Sequence, residues 1–223
     1  MKHFFLFVFL LFATALSAQN KINIGVQGGL GLIKIYGNPT AKIDQAFDRG
    51  YTAGLSVQYN FKKIFSLRSG LSFERKGSAS HITGTDPNAA YLYEIKQHLF
   101  FDYLTLPVLV RASFGKKVNF FVNAGPYFGY LIQTTFIYDD PVDGKLQAND
   151  LNLIRKFDWG LAAGLGIAIP IKKKLLLSFE LRNNVGLYDI AILPFWGGTM
   201  KTYSANLLVG VAYTLGKTEN TED

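Results

Sequence analysis

Residues 202–215, with the sequence TYSANLLVGVAYTL, decide the fold because two kinds of side chain alternate along the whole stretch. One set is largely apolar and consists of Tyr203, Ala205, Leu207, Val209, Val211, Tyr213 and Leu215. The other set is largely small or polar and consists of Ser204, Asn206, Leu208, Gly210, Ala212 and Thr214. Successive side chains of a β-strand point to opposite faces, so the stretch predicts a strand with one apolar face. Such a face suits lipid, and the other face suits the lumen of a membrane β-barrel.

Seven other stretches of the chain show the same alternation. The eight predicted strands cover residues 22–33, 51–61, 65–76, 102–114, 118–137, 158–169, 175–187 and 202–215. Each reaches the ~9–11 residues that a tilted strand needs to cross the hydrocarbon core of a bilayer. Backbone groups in lipid must all be paired, so the strands are expected to close into a ring. The predicted fold is all-β: an eight-stranded antiparallel up-and-down transmembrane β-barrel.

A soluble β-sandwich or lipocalin-like barrel is the alternative fold, because its strands also alternate apolar and polar residues. A soluble barrel would point the apolar face inward and fill its interior tightly. In this chain the second face is dominated by Gly, Ser, Asn and Ala, which would fill a core poorly. The composition of the two faces therefore favours the membrane barrel.

The connections between the predicted strands alternate in length. Three are short turns that carry Lys, at residues 61–65, 115–117 and 170–174, and four are long and polar, at residues 34–50, 77–101, 138–157 and 188–201. Outer-membrane barrels have short periplasmic turns and longer external loops. The alternation predicts an integral protein of the cell outer membrane with both termini in the periplasm.

Residues 1–18 are predicted to be a signal peptide. Lys2 supplies the positive charge, residues 4–16 form a short apolar segment, and small residues precede a cleavage site near Ala18. An uncleaved membrane anchor is the alternative, although the segment is shorter than the ~20 apolar residues of a spanning helix. The predicted organisation is a signal peptide at 1–18, an outer-membrane β-barrel domain at 19–217 and a polar C-terminal tail at 218–223.

Composition limits the function classes. The chain has 223 residues and no Cys, which excludes a disulfide scaffold and a thiolate metal site. Its formal net charge is +7, but the Lys residues lie mostly in turns and form no basic stripe with stacking aromatic residues, so no nucleic acid partner is expected. The expected partners are outer-membrane lipid, lipopolysaccharide and proteins of the envelope or of a secretion system.

The parity of the strands places a set of charged residues on the face away from lipid. These predicted lumen residues are Arg68, Glu74, Arg111, Asp158, Glu180 and Arg182. An eight-stranded barrel is only wide enough for side chains to fill it, so the favoured hypothesis is an ion-paired plug. A gated ion path or a proton-linked site is the alternative. The acid expected to pair with Arg111 is Glu180 or Glu74.

Two neighbouring stretches, FDYLTLPVLVR at 101–111 and FVNAGPY at 121–127, carry a family resemblance. They resemble the PorT-like outer-membrane β-barrel family of Bacteroidota, in which an L-x-L-P-x-L-x-[KR] strand is followed by an A-G-P strand. The matching positions include Leu104, Leu106, Pro107, Arg111, Gly125 and Pro126. The resemblance implies an outer-membrane barrel whose best-known relatives are linked to a secretion system for cell-surface proteins. Pro107 inside a strand also predicts a missing ladder bond or a bulge.

Residues capable of catalysis are sparse. His81 and His98 lie in one predicted loop with Ser80, Asp86 and Glu94, which makes a surface metal site or a lipid-cleaving dyad conceivable. Their spacing matches no motif, so we expect no enzymatic activity, no cofactor and no metal. Two functional classes remain: a barrel with a structural, partner-binding or export-accessory role, and a narrow channel for ions or small solutes.

Overall fold

A computed structural model describes residues 22–37, 45–85, 92–115, 117–140, 144–149, 154–192 and 198–215. The predicted signal peptide and polar tail lie outside these residues. The strands are β1 (Ile22–Tyr36), β2 (Gln45–Ala46), β3 (Asp48–Asn60), β4 (Phe65–Thr85), β5 (Leu92–Phe114), β6 (Asn119–Asp140), β7 (Gly144–Asn149), β8 (Phe157–Lys172), β9 (Leu175–Gly186) and β10 (Lys201–Leu215). Among the described residues, no helix is long and apolar enough to cross a membrane.

Eight of these strands form a closed antiparallel barrel. The ring runs β1, β3, β4, β5, β6, β8, β9 and β10, and the pairing of β10 with β1 closes it. The short strands β2 and β7 lie outside the ring and pair with β4 and β6. The predicted fold is therefore confirmed.

Lipid-facing and lumen-facing residues alternate along the barrel strands. On β10, Leu207 and Val209 are exposed on the outside, whereas Asn206 and Leu208 are buried. The outer surface is a band of exposed aliphatic side chains, with aromatic residues such as Tyr59 near the ends of its strands. This face can be stable only against lipid, because a soluble domain does not expose so large a continuous apolar surface.

Three strands continue far beyond the apolar band. Strands β4, β5 and β6 have 21, 23 and 22 residues. The predicted loop at 77–101 is therefore wrong over most of its length and the one at 138–157 over half of it, and β1 and β3 also extend into the predicted loop at 34–50. Beyond the apolar band, two strands are held together by their backbone hydrogen bonds, and neither needs an apolar face. The sequence there does not show the apolar and polar alternation by which a lipid-facing strand is recognised. We call the sheet formed by residues 77–85, 92–100, 131–140 and 144–149 the extension.

The strand that contains Pro107 is irregular, as the sequence predicted. The register of β4 with β5 passes from Ser69–Val108 to Ser72–Thr105, and the ladder is interrupted opposite Pro107. The Ser69 hydroxyl donates a hydrogen bond to the Pro107 carbonyl oxygen at 2.9 Å. Proline has no N–H to contribute to a ladder, so the interruption leaves no donor unpaired.

A second irregularity, a bulge in β6, lies opposite Asp102 and Tyr103 of β5. The β5–β6 register shifts between Asp102 and Tyr103. Asp102 pairs with Gln133 and Tyr103 with Leu131, so the extra residue, Ile132, belongs to β6 and β5 keeps its alternation. Phe101 and Tyr103 are buried on the lumen side, and Asp102 is buried on the opposite side of the strand. Asp102 accepts two hydrogen bonds from Arg75, each 2.7 Å long. Asp102 is thus buried because Arg75, its neighbour on the paired strand β4, covers it.

Candidate functional site: the barrel lumen

The structure places all the predicted lumen residues inside the barrel. None is more than 7% exposed: Arg68, Glu74, Arg111, Asp158, Glu180 and Arg182. They do not form one network. They lie in three groups along the barrel axis, described below from the end with the short turns to the end with the long connections.

Glu180 lies at the centre of the first group, the arginine cluster of Arg68, Arg111, Arg182 and Glu180. Its Oε1 accepts hydrogen bonds from Arg182 Nε at 2.6 Å and from Asn123 Nδ2 at 3.1 Å. Its Oε2 accepts one from Arg111 Nη2 at 3.1 Å. Arg111 and Glu180 thus form one of the two alternative pairs that were expected for Arg111. Charge-assisted bonds of this kind in a poorly solvated site hold the three side chains in a fixed arrangement.

The remaining contacts of the arginine cluster are to neutral groups. Arg68 Nη2 donates to Gln27 Oε1 at 2.7 Å, and Arg111 Nη1 donates to Gln58 Oε1 at 3.2 Å. The Arg111 guanidinium also lies 3.6 Å from the centre of the Phe121 ring, close enough for a cation–π interaction. Among the described residues, no carboxylate lies within ion-pair distance of Arg68.

Glu74 forms the second group with neutral donors, so its predicted pairing with Arg111 is not observed. Its Oε1 accepts hydrogen bonds from Asn184 Nδ2 at 2.8 Å, Ser204 Oγ at 2.6 Å and Asn206 Nδ2 at 3.1 Å. Its Oε2 accepts one from Thr105 Oγ1 at 3.1 Å. Four donors from three different strands replace the water that this carboxylate would otherwise bind.

The third group contains a cation that the sequence analysis missed, Lys76. Its side chain is fully buried, and its Nζ lies 2.9 Å from Asp158 Oδ2. Thr202 Oγ1 and Tyr127 OH donate to the same oxygen at 2.7 and 3.2 Å. The Lys76 Nζ also lies 4.0 Å from the centre of the Tyr127 ring. Lys76 lies an even number of residues from Arg68 and Glu74, so the alternation of the strand places it on the same face. This signal was present in the sequence, but Lys76 was the last residue of its predicted strand and was not assigned to the lumen.

An apolar cap covers the lumen above this third group. Its buried core is formed by Ile35, Phe101, Tyr103, Ile154 and Ile190. Ile154 and Ile190 come from the connections before β8 and after β9, which cross the mouth of the barrel. Backbone hydrogen bonds from Arg155 N to Ile190 O and from Ile190 N to Met200 O, 2.7 and 2.9 Å long, fix them there. The apolar cap thus closes the end of the barrel that carries the long connections.

The opposite end of the lumen is open. A cavity of about 280 Å³ lies below the arginine cluster and is lined by residues near the short turns, among them Asn60, Ser113 and Thr214. These rim residues are half-buried, so the cavity reaches solvent. Within the described residues the lumen therefore has the form of a cup, with a closed apolar end and a charged floor.

The residues of the family motif divide between the two faces. Leu104, Leu106 and Pro126 are exposed on the outer surface, whereas Pro107 and Arg111 are buried in the lumen. Gly125 lies on β6 near the interrupted part of the β5–β6 ladder. Arg111, which ends the strand motif, is thus also a member of the arginine cluster.

The histidines of the predicted loop lie on strands. His98 Nδ1 is 2.7 Å from Asp48 Oδ2 on β3, and His81 is opposite Lys96 in the β4–β5 register. Asp86 lies outside the described residues. No group of three or more His, Asp or Glu among the described residues is arranged to hold a metal ion.

Comparisons with known proteins find a matching family and several solved barrels. The family model described as outer membrane protein beta-barrel domain matches residues 17–191. Neisserial surface protein A is similar over 86% of this chain and 97% of its own, at 13% identity and a TM-score of 0.45. OprG from Pseudomonas aeruginosa is similar over 90% and 99%, at 14% identity and a TM-score of 0.46. A major outer membrane protein from Thermus thermophilus is similar over 86% and 98%, at 16% identity and a TM-score of 0.47. No curated protein gives a significant match.

Proposed function

The chain belongs to the outer membrane protein beta-barrel domain family, and on that premise we propose that it is a non-conducting barrel that acts by binding a protein partner. The observation that carries the proposal is the closed lumen. A solute passing through the barrel would have to displace the apolar cap and then the Lys76–Asp158 pair. Separating a buried ion pair exposes two charges to a poorly solvated interior, which is strongly unfavourable.

The extension offers the surface on which a partner can bind. It rises from one side of the barrel, beyond the apolar outer band, and β7 lies at its edge. A β-strand at the edge of a sheet presents unpaired backbone groups that can pair with an extended segment of another chain. Leu146 on β7 is 61% exposed, and it adds an apolar contact to that edge.

The finer features of the proposal follow from the family motif and from the lengths of the connections. The motif that includes Pro107 and Arg111 supports a PorT-like barrel with an accessory role in protein export. The short Lys-bearing turns support periplasmic termini, with the extension on the cell surface. Enzymatic activity forms no part of the proposed function.

Site-specific photocrosslinking in intact cells tests the proposal. A photoreactive amino acid at Leu146 should give a protein adduct, because the β7 edge is proposed to meet a partner. The matched control is Leu207, which has a nearly equal exposed fraction, 60%, but faces lipid on β10. We expect no protein adduct at Leu207. Absence of an adduct at Leu146, or equal protein adducts at both positions, would contradict the proposal.

A further inference from the structure

The open cavity at the short-turn end is lined by polar and cationic side chains. Arg68 and Arg111 line its inner part, and no Asp or Glu of the described residues lines it. Its volume of about 280 Å³ is several times the roughly 30 Å³ that one water occupies in the liquid, so a small solute with some water fits. Exposed Lys62 and Lys173 lie in the short turns at this end and add to the positive potential at the opening.

Positive charge exceeds negative charge in the arginine cluster. Arg68, Arg111 and Arg182 share one carboxylate, that of Glu180, which contacts only two of them. Arg68 has no carboxylate within ion-pair distance among the described residues, and Arg111 shares its carboxylate with Arg182. The cluster therefore carries more positive than negative charge, and two of its guanidinium groups, those of Arg68 and Arg111, line the open cavity. A buried charge without a counter-charge is costly, and an anion from solution would remove that cost.

The hydrogen-bonding capacity of Arg111 is also unfilled. Its Nε is buried and has no hydrogen-bond partner among the described residues, although both of its Nη atoms are bonded. The Phe121 ring packs against the guanidinium and fixes its plane. A guanidinium presents its N–H groups as a planar fork that matches the oxygens of a carboxylate or a phosphate.

We propose that the open cavity is a binding site for a small oxyanion, a carboxylate or a phosphate group, held by Arg111 and Arg68. The anion would neutralise the excess charge of the arginine cluster. Asn and Ser side chains around the cavity would solvate the rest of the ligand. The site is independent of the proposed partner surface, because it lies at the opposite end of the barrel.

Isothermal titration calorimetry of the refolded full chain in neutral detergent tests this site. Inorganic phosphate and acetate are titrated separately at constant ionic strength, with chloride as the comparison anion. We expect saturable binding of at least one oxyanion, and at least tenfold weaker binding by Arg111→Gln and by Arg68→Gln. The control variant Lys96→Gln removes an exposed cation from the extension, at the opposite end of the barrel, and should bind like the unchanged protein.

Heat-modifiable gel mobility shows whether each variant has folded. If neither arginine variant folds, the melting temperature of the unchanged protein is measured at increasing concentrations of each anion. A specific ligand raises the melting temperature as its occupancy rises. A larger rise with phosphate or acetate than with chloride supports the site. Absence of saturable oxyanion binding, equal binding of chloride, or undiminished binding by both folded arginine variants would overturn it.

Discussion

At the scale of single residues, the lumen is organised around three carboxylates with different kinds of partner. Glu180 is bound by two guanidinium groups, Glu74 by neutral donors and Asp158 by an ammonium group and two hydroxyl groups. Strand parity predicted that all three acids point inward. The choice of partner could not be predicted, because it depends on strand register and on contacts across the lumen.

The pairing of Arg111 with Glu180 predicts a coupling in stability. Each single change, Arg111→Gln or Glu180→Gln, leaves buried groups without their partner, so the double variant should lose less stability than the two losses summed. We expect a coupling of about 1–3 kcal/mol from urea unfolding followed by gel mobility. The control pair Arg111→Gln with Glu74→Gln should be close to additive. Additivity for both pairs would show that Arg111 and Glu180 do not interact.

Two adjacent glycines provide a test of the tight contacts inside the barrel wall. A Cβ added at Gly29 would collide with the backbone carbonyl oxygen of Leu207 on the paired strand, whereas at Gly28 the nearest atom would be 3.4 Å away. Gly29→Ala should destabilise the barrel by roughly 1–3 kcal/mol, the usual range for overpacking. Gly28→Ala should be nearly neutral in the same unfolding measurement. Equal effects of the two changes would refute this local geometry.

At the scale of elements, several strands are longer than the stretches of alternating sequence from which they were predicted. Residues 202–215 were predicted almost to the residue because lipid demands an apolar side chain at every second position. Strands β4 and β5 were cut short at Lys76 and Asp102, where that demand ends. A strand outside lipid is fixed by its neighbour through backbone bonds, and these leave little trace in the sequence.

Substitution by Arg can test which part of the outer surface contacts lipid, the barrel wall or the extension. Leu207→Arg places a cation on the lipid face of β10 and should cost about 2–4 kcal/mol if it lies near the midplane. Leu146→Arg, at an almost equal exposed fraction, lies on the extension in water and should cost almost nothing. Folding titrations in liposomes measure both. A similar cost at both positions would mean that the extension is also in contact with lipid.

At the scale of the whole molecule, closure of the ring and filling of the lumen by ion pairs were predicted, but the cup form was not. The apolar cap depends on Ile154 and Ile190, which lie in stretches without the alternation of a strand. Their burial follows from where two connections cross the barrel mouth, which is a property of the assembled fold. The open cavity likewise results from several strand ends that meet only when the ring closes.

Conductance across a planar bilayer tests the central claim, that the lumen is closed, most directly. Protein refolded from the full chain should insert and produce no stable conductance steps, because the apolar cap and the Lys76–Asp158 pair fill the cross-section. A variant that removes cap side chains and the pair together, Ile154→Gly with Ile190→Gly, Lys76→Ala and Asp158→Ala, serves as the positive control and should conduct. Reproducible conductance steps from the unchanged protein, of a size comparable with those of that variant, would contradict a closed barrel and identify a channel.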